Sequence, residues 1–228
     1  MSTCADVMER WRHFAAGASH ELRTPLAALR VQVESAQRHP YDVDLPDLLD
    51  HLRRDLDRLE SLIGDLLFLT RIEAEVHRTL EEVDLANLVR REAARWSGDG
   101  DVRLDLTPGV MVDAAPCHFA RLLANLLDNA RRHRTRTVEV RLRRVGDHAE
   151  LTVADDGAGI PPADRERVFQ PFARLDTARC RDRGGAGLGL AIARDIATAH
   201  HGTLHVEDAA RGGARFVLRI PPSTTTSP

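Results

Sequence analysis

The chain has 228 residues, 43% of them hydrophobic, and a formal net charge of -3; that is enough length for a sizeable core and, at about 100 to 200 residues per domain, for two units. So small a net charge gives no general drive toward nucleic acid or membrane surfaces, and no apolar run approaches the ~20 residues that a membrane-spanning helix needs. All 32 Lys+Arg residues are arginine, which excludes nucleotide loops and eukaryotic-type protein kinases whose phosphate contacts depend on lysine.

The first residues, MSTCADVMERWRHF, lack the apolar core of a signal peptide, so the expectation is a soluble, cytoplasmic chain. Cys4, Cys117 and Cys180 are odd in number, far apart and without metal-ligand spacing, as reduced bystander thiols would be. Arginine clusters at Arg131 to Arg136, Arg141 to Arg144 and Arg179 to Arg183 read as solvated surface or, more sharply, as contacts for an anionic ligand.

Apolar periodicity predicts a first helix from near Val7 to near Arg38, roughly 45 Å long. Leu22, Leu26, Leu29, Val33 and Ala36 recur in steps of four and three and form its seam. Within it, Ser19 to Leu26 reads SHELRTPL. His20 falls about 160° from Leu22 and shares the outward face with Thr24, four residues on, while Glu21 stands beside it. Pro25 lacks an N–H and clashes with the preceding turn, so a bend is expected there. Taken alone, His20 is a solvated surface histidine; what lies downstream changes that reading.

His39, Pro40 and the stretch to Pro46 break the pattern. A second seam follows through Leu45, Leu49, Leu52, Leu56, Leu59, Ile63 and Leu66, in a helix expected to reach about Glu75. A lone hairpin leaves much of Leu62, Ile63, Leu66, Leu67 and Leu69 in water. A second copy packing into a four-helix bundle buries them, so a homodimer is expected; the alternative is cover by the following domain.

After Arg78 the texture changes. The pattern predicts a helix over Val83 to Trp96, a strand over Val102 to Thr107, a helix from Pro116 to about His133, and strands at Thr137 to Leu142 and Leu151 to Ala154. A helix over Leu188 to His201 and a terminal hairpin of Thr203 to Glu207 with Arg215 to Ile220 complete it. The fold class expected is α+β, a helical hairpin over 7–78 followed by an α/β sandwich over 79–221, with a disordered tail over 222–228.

Four features of this second part carry chemistry. In LLANLLDNARRH, Asn125, Asn129, Arg132 and His133 fall within about 100° of helix arc. Two mid-helix carboxamides in register point to a polar site, and an amide oxygen suits Mg²⁺; alone they read as exposed asparagines. VADDGAGIP is a strand running into a glycine loop, with a carboxylate that can accept from an exocyclic amine such as that of adenine. VFQPFARLD contributes Phe169 and Phe172, both read as core. In RGGAGLGLAIARDIA a glycine loop opens into a helix whose N-terminal N–H groups offer an anion site, without the strand context of a dinucleotide fold.

In this order SHELRTPL, NLLDNA, DDGAGI, VFQPF and GGAGLGLAI resemble the signature boxes of bacterial sensor histidine kinases, over about Arg12 to Ile220. The resemblance implies a dimerisation and phosphoacceptor hairpin followed by a Bergerat-type ATP-binding domain, with ATP and Mg²⁺ as cofactors and a response regulator receiver domain as partner. His20 matches the phosphoacceptor, Glu21 the adjacent acid or base, and Thr24 the hydroxyl residue used in dephosphorylating the regulator. Asn129 matches the Mg²⁺ ligand, with Asn125 at the phosphates, and Asp155 the adenine-recognising carboxylate. Gly157 and Gly159 match the first glycine box, Gly185, Gly187, Leu188 and Gly189 the second, and Arg174 an arginine that follows the phenylalanine box.

Arg132 and His133 depart from the lysine and tyrosine frequent in that family, and arginine offers a planar fork where lysine offers a point charge. No membrane span or sensor domain precedes the kinase motifs, so the chain is expected to be the cytoplasmic part of a longer sensor or a soluble kinase served by a separate one. Two other readings are a nucleotide-driven clamp like those of gyrase or chaperone modules, against which SHELRTPL argues, and a dimeric scaffold that binds a regulator without turnover.

Overall fold

The computed structural model describes residues 4–41, 43–72, 76, 79–95, 101–175 and 186–223, with the side chains of 4–13 and of 101 left out. The chain divides into two compact units, Met1–Thr70 and Arg71–Pro228. No helix among the described residues is long and apolar enough to cross a membrane.

The first unit is a hairpin of α1 (Cys4–Arg38) and α2 (Leu45–Leu69). The α1 helix runs on through Pro25, which is buried. Asp44 caps α2, its carboxylate accepting from the Asp47 N–H at 3.3 Å. The second helix ends at Leu69, short of the expected Glu75. There the Thr70 hydroxyl donates to the Leu67 carbonyl at 2.7 Å, which satisfies a terminal acceptor with a side chain in place of another turn; residues 73–75 lie outside the described set.

The heptad seam splits in two. Leu22, Leu29, Leu52, Leu59 and Leu66 are half-buried and Leu62 is buried, against the expectation that it stands in water. Leu26, Val33, Leu45, Leu49, Leu56, Ile63 and Leu67 stay exposed. On α2 the exposed Leu45, Leu49, Leu56, Ile63 and Leu67 fall within about 40° of helix arc, beside the half-buried Leu52, Leu59 and Leu66, and form an open apolar stripe. Gln32 Nε2 reaches across the hairpin to Asp55 Oδ2 at 3.2 Å.

The second unit is a two-layer α/β structure. Its sheet contains β2 (Asp101–Leu106), β4 (Thr137–Val145), β5 (His148–Asp155), β6 (Thr203–Asp208) and β7 (Ala214–Ile220) in the order β2-β4-β5-β7-β6. Only β2 with β4 is parallel; the other pairs are antiparallel. The helices α4 (Pro116–His133) and α5 (Gly189–Ala199) pack on each other and on this sheet. Phe119, Leu122, Leu123 and Leu126 of α4 and Ile192 and Ile196 of α5 meet Val140, Leu142, Leu151, Val153, Phe216 and Leu218, all buried. Alternate strand residues put charge on the far face, where Arg219 pairs with Glu150 at 2.9 Å and Arg215 with Glu207 at 3.2 Å.

A further expectation is corrected. Residues 83–96 are not a single helix: β1 (Glu81–Asp84) precedes α3 (Leu85–Ala94), and β1 pairs antiparallel with β3 (Met111–Ala114), a strand that periodicity did not reveal. Asp84 closes the strand and caps the helix, accepting from Ala86 N at 2.9 Å and Asn87 N at 3.2 Å. Four-residue strands with one or two buried side chains carry too short a period to read. Ser223 donates its N–H to the Met111 carbonyl at 3.1 Å, so the predicted disordered tail begins as an ordered contact; 224–228 lie outside the described residues.

The α4 and α5 ends are joined by a buried histidine. His200, the C-cap of α5, receives the Ala115 N–H on Nε2 at 3.0 Å and faces the Ile196 carbonyl with Nδ1 at 2.7 Å. A backbone N–H can only donate, so the ring is neutral with its proton on Nδ1. Burial, with His118 and His201 nearby, lowers its pKa from the ordinary 6.5. The unfolded chain therefore protonates first, and the stability this group contributes is full above pH 6.5 and declines as pH falls below it. Thermal unfolding followed from pH 7.5 to 5.5 is expected to show this decline, with a shallower slope in His200→Gln.

Candidate active site

In the first unit, helical spacing alone builds the site. The His20 side chain is 79% exposed, and its Nδ1 lies 3.8 Å from Glu21 Oε1, leaving Nε2 free to meet a partner. One turn on, Thr24 is exposed and its hydroxyl donates back to the His20 carbonyl at 3.2 Å.

In the second unit the site is assembled at the end of β5. Asp155 is buried, at 4% exposure. Its Oδ1 accepts from Gly157 N at 2.9 Å and from Ala214 N at 3.3 Å, whereas Oδ2 is buried with no hydrogen-bond partner. Burial pushes its carboxyl above the ordinary range, and the two backbone N–H groups offset part of that. A buried acceptor without a donor costs free energy, and a ligand N–H placed against it removes the cost. The glycines let backbone segments close tightly around this carboxylate. A Cβ on Gly157 would run into the His133 carbonyl, and one on Gly213, at φ +91°, into the Asp155 carbonyl. Gly159, at φ +74°, lies against Gly213.

The opposite wall is α4. Asn125 and Asn129 are half-buried on it, and Arg132 and His133 are exposed at its last turn. The Asn125 Nδ2 is buried and unpartnered, and a Cβ on Gly189 would sit 3.1 Å from Asn125 Oδ1. This sets Asn125 against the start of α5, whose N-cap position, Leu188, makes no side-chain capping bond. The Leu188 side chain is buried, so any contact it makes with a ligand is through its backbone. Phe172 N donates to the Gly187 carbonyl at 2.9 Å, and backbones this close require Gly187, at φ +73°. Phe169 is core, edge-on to Phe216, but Phe172 is only half-buried and adopts φ +64°, which corrects its expected core role. Arg174 is exposed, and Gly185 lies outside the described residues.

Two family models match these two units in turn. The "His Kinase A (phospho-acceptor) domain" covers residues 10–75, and the "Histidine kinase-, DNA gyrase B-, and HSP90-like ATPase" family covers 115–224. The chain is 40% identical over 212 residues to the sensor protein RstB of Escherichia coli K12, covering 90% of this chain and 47% of that protein. The solved mycobacterial sensor histidine kinase MprB is 32% identical, with a TM-score of 0.56, over 63% of this chain and 98% of that one. The chain belongs to the sensor histidine kinases. Acinetobacter baumannii AdeS, at 24% identity, shares the fold, with a TM-score of 0.73 over 89% of this chain and 97% of that one. The chain spans about half the length of the curated relatives it matches.

For a histidine kinase the donor set is coherent. A planar base with an exocyclic amine answers Asp155 Oδ2, helix N–H groups and arginine answer phosphate, and the amide oxygens of Asn125 and Asn129 suit a hard cation that also binds phosphate. Sequence reasoning missed Gly213 and Ala214, which complete the Asp155 pocket from the turn before β7 and from its first residue. The adjacent glycines of RGGA signalled a turn, yet nothing local tied it to a residue 59 positions earlier.

Proposed function

We propose that this chain is the catalytic core of a two-component sensor kinase that transfers the γ-phosphoryl group of ATP to His20 and then to an aspartate of a response regulator receiver domain. The observation that carries the nucleotide half is the buried, unpartnered oxygen of Asp155. In the transfer, His20 Nε2 attacks the γ-phosphorus as the bond to the bridging oxygen breaks and ADP leaves. Glu21, beside Nδ1, orients the ring and takes up the proton that the phosphorylated imidazole sheds. Asn129, with Asn125 near the phosphates, would hold Mg²⁺, which when bound supplies charge neutralisation. Arg132, His133, Arg174 and the N–H groups from Gly185 to Gly189 are assigned to the nucleotide, and Gly157 and Gly159 to close backbone approach.

The exposed stripe of Leu26, Leu45, Leu49, Leu56, Ile63 and Leu67 is assigned to a homodimeric four-helix bundle. On this reading 7–78 is the dimerisation and phosphoacceptor domain, 79–221 the ATP-binding domain, and the chain works in the cytoplasm. Thr24, one turn from His20, is assigned to dephosphorylation of the regulator. Incubation with Mg²⁺ and γ-labelled ATP tests the reading: the expected result is a protein-bound label lost in acid and stable in alkali. ATP binding without label would favour a scaffold or clamp.

A further inference from the structure

We propose that Asp156 is a positioning residue for nucleotide selection: its carboxylate clamps the loop after α4 to the end of β5 and so sets the adenine pocket between Asp155 and the polar face of α4. The proposal rests on the nucleotide reading above and adds a residue to it.

The geometry begins with strand alternation. Asp155 and Asp156 are neighbours, so one side chain turns into the pocket and the other away from it. The outward one meets three successive N–H groups. Asp156 Oδ1 accepts from Thr135 N at 2.8 Å and Arg136 N at 2.9 Å, and Oδ2 from Arg136 N and Thr137 N, each at 3.1 Å. The Thr135 hydroxyl adds a bond to the Asp156 carbonyl at 3.1 Å. These N–H groups, Arg136 foremost, hold the carboxyl below its ordinary pKa. Such a nest of consecutive N–H groups commonly binds an external anion; here the chain fills it with its own.

The loop so gripped is the exit of α4. Arg134 N caps the helix on the Ala130 carbonyl at 2.8 Å, and the His133 carbonyl sits where a Cβ on Gly157 would have to go. Releasing the clamp therefore moves the last turn of α4 relative to Asp155 and leaves the start of α5 in place. The base end of the site loosens and the phosphate end does not.

Asparagine at 156 keeps one acceptor oxygen and turns an NH₂ toward the Arg136 and Thr137 N–H groups, donor against donor. Calorimetric titration of the full chain with Mg²⁺-ADP and Mg²⁺-GDP, for wild type, Asp156→Asn and Asp155→Asn, tests the idea. In Asp156→Asn the ADP affinity is expected to fall about tenfold and the preference for ADP over GDP to narrow by a similar factor. The KM for ATP should rise with kcat within about twofold. Equal weakening toward ADP and GDP, as simple loss of folded protein would give, overturns the proposal. So does wild-type affinity in Asp156→Asn while Asp155→Asn fails to bind, a result that leaves the nucleotide reading standing. Failure of the wild type to bind ADP overturns that reading, and the proposal with it.

Discussion

Replacing His20 with glutamine is expected to reduce the acid-labile label from γ-labelled ATP to background while ADP binding stays at the wild-type level. The two halves of this result come from different units. His20 stands on α1 with its ring in solvent, so its removal opens no cavity and should change stability by less than about 0.5 kcal/mol. Glutamine has no nitrogen lone pair that can attack phosphorus, so the loss is of chemistry and not of fold. Glu21→Gln gives the graded companion. It leaves the nucleophile in place but removes the proton acceptor beside Nδ1, and the rate of labelling should fall by about a hundredfold. Label persisting in His20→Gln at the wild-type rate would place the acceptor elsewhere among the histidines.

Asp155→Asn is expected to separate binding from stability. Asparagine keeps an oxygen for the Gly157 and Ala214 N–H groups and puts an NH₂ where the unpartnered Oδ2 now sits. An incoming exocyclic amine then meets a donor, and nucleotide affinity should fall by about a hundredfold. Stability moves the other way. The carboxyl of Asp155 is raised in the fold, chiefly by burial, above the ordinary 3.8. A group of that kind contributes stability below pH 3.8 and loses it as pH rises through the folded value, so at pH 7 the buried carboxylate is a net cost. The melting temperature of Asp155→Asn without ligand at pH 7 should equal or exceed that of the wild type. Added ADP should raise the wild-type midpoint and leave the variant unmoved. A variant that melts well below the wild type would make Asp155 a structural residue first.

These two residues differ in how openly the sequence displays them. The His20, Glu21 and Thr24 set is a helical neighbourhood, and a helix places residues one and four apart on fixed bearings whatever surrounds it. The long elements were legible for the same reason: α1, α4 and α5, and the strands β4 to β7, repeat their apolar residues at a period long enough to count. The β1 and β3 pair escaped, because four residues such as EEVD hold a single buried side chain and a helix follows at once. Leu62 was grouped with the residues that a lone hairpin leaves in water for a related reason. Periodicity marks which residues are apolar, and only the packing of α1 on α2 decides which of them that contact covers.

By itself, then, the sequence determined the helices and their seams and the motif order that places the chain among the histidine kinases, and it singled out the residues proposed to meet nucleotide. It could do so because helix bearing, strand alternation and glycine freedom are local properties of the chain. The tertiary structure alone decided that Asp155 keeps one oxygen satisfied and one bare, that Gly213 and Ala214 close its pocket, that Asn125 faces Gly189, and that Asp156 grips the α4 exit. Each of these is a contact between segments far apart in the chain, and such contacts exist only once the sheet has brought β5 beside β7 and α4 beside α5.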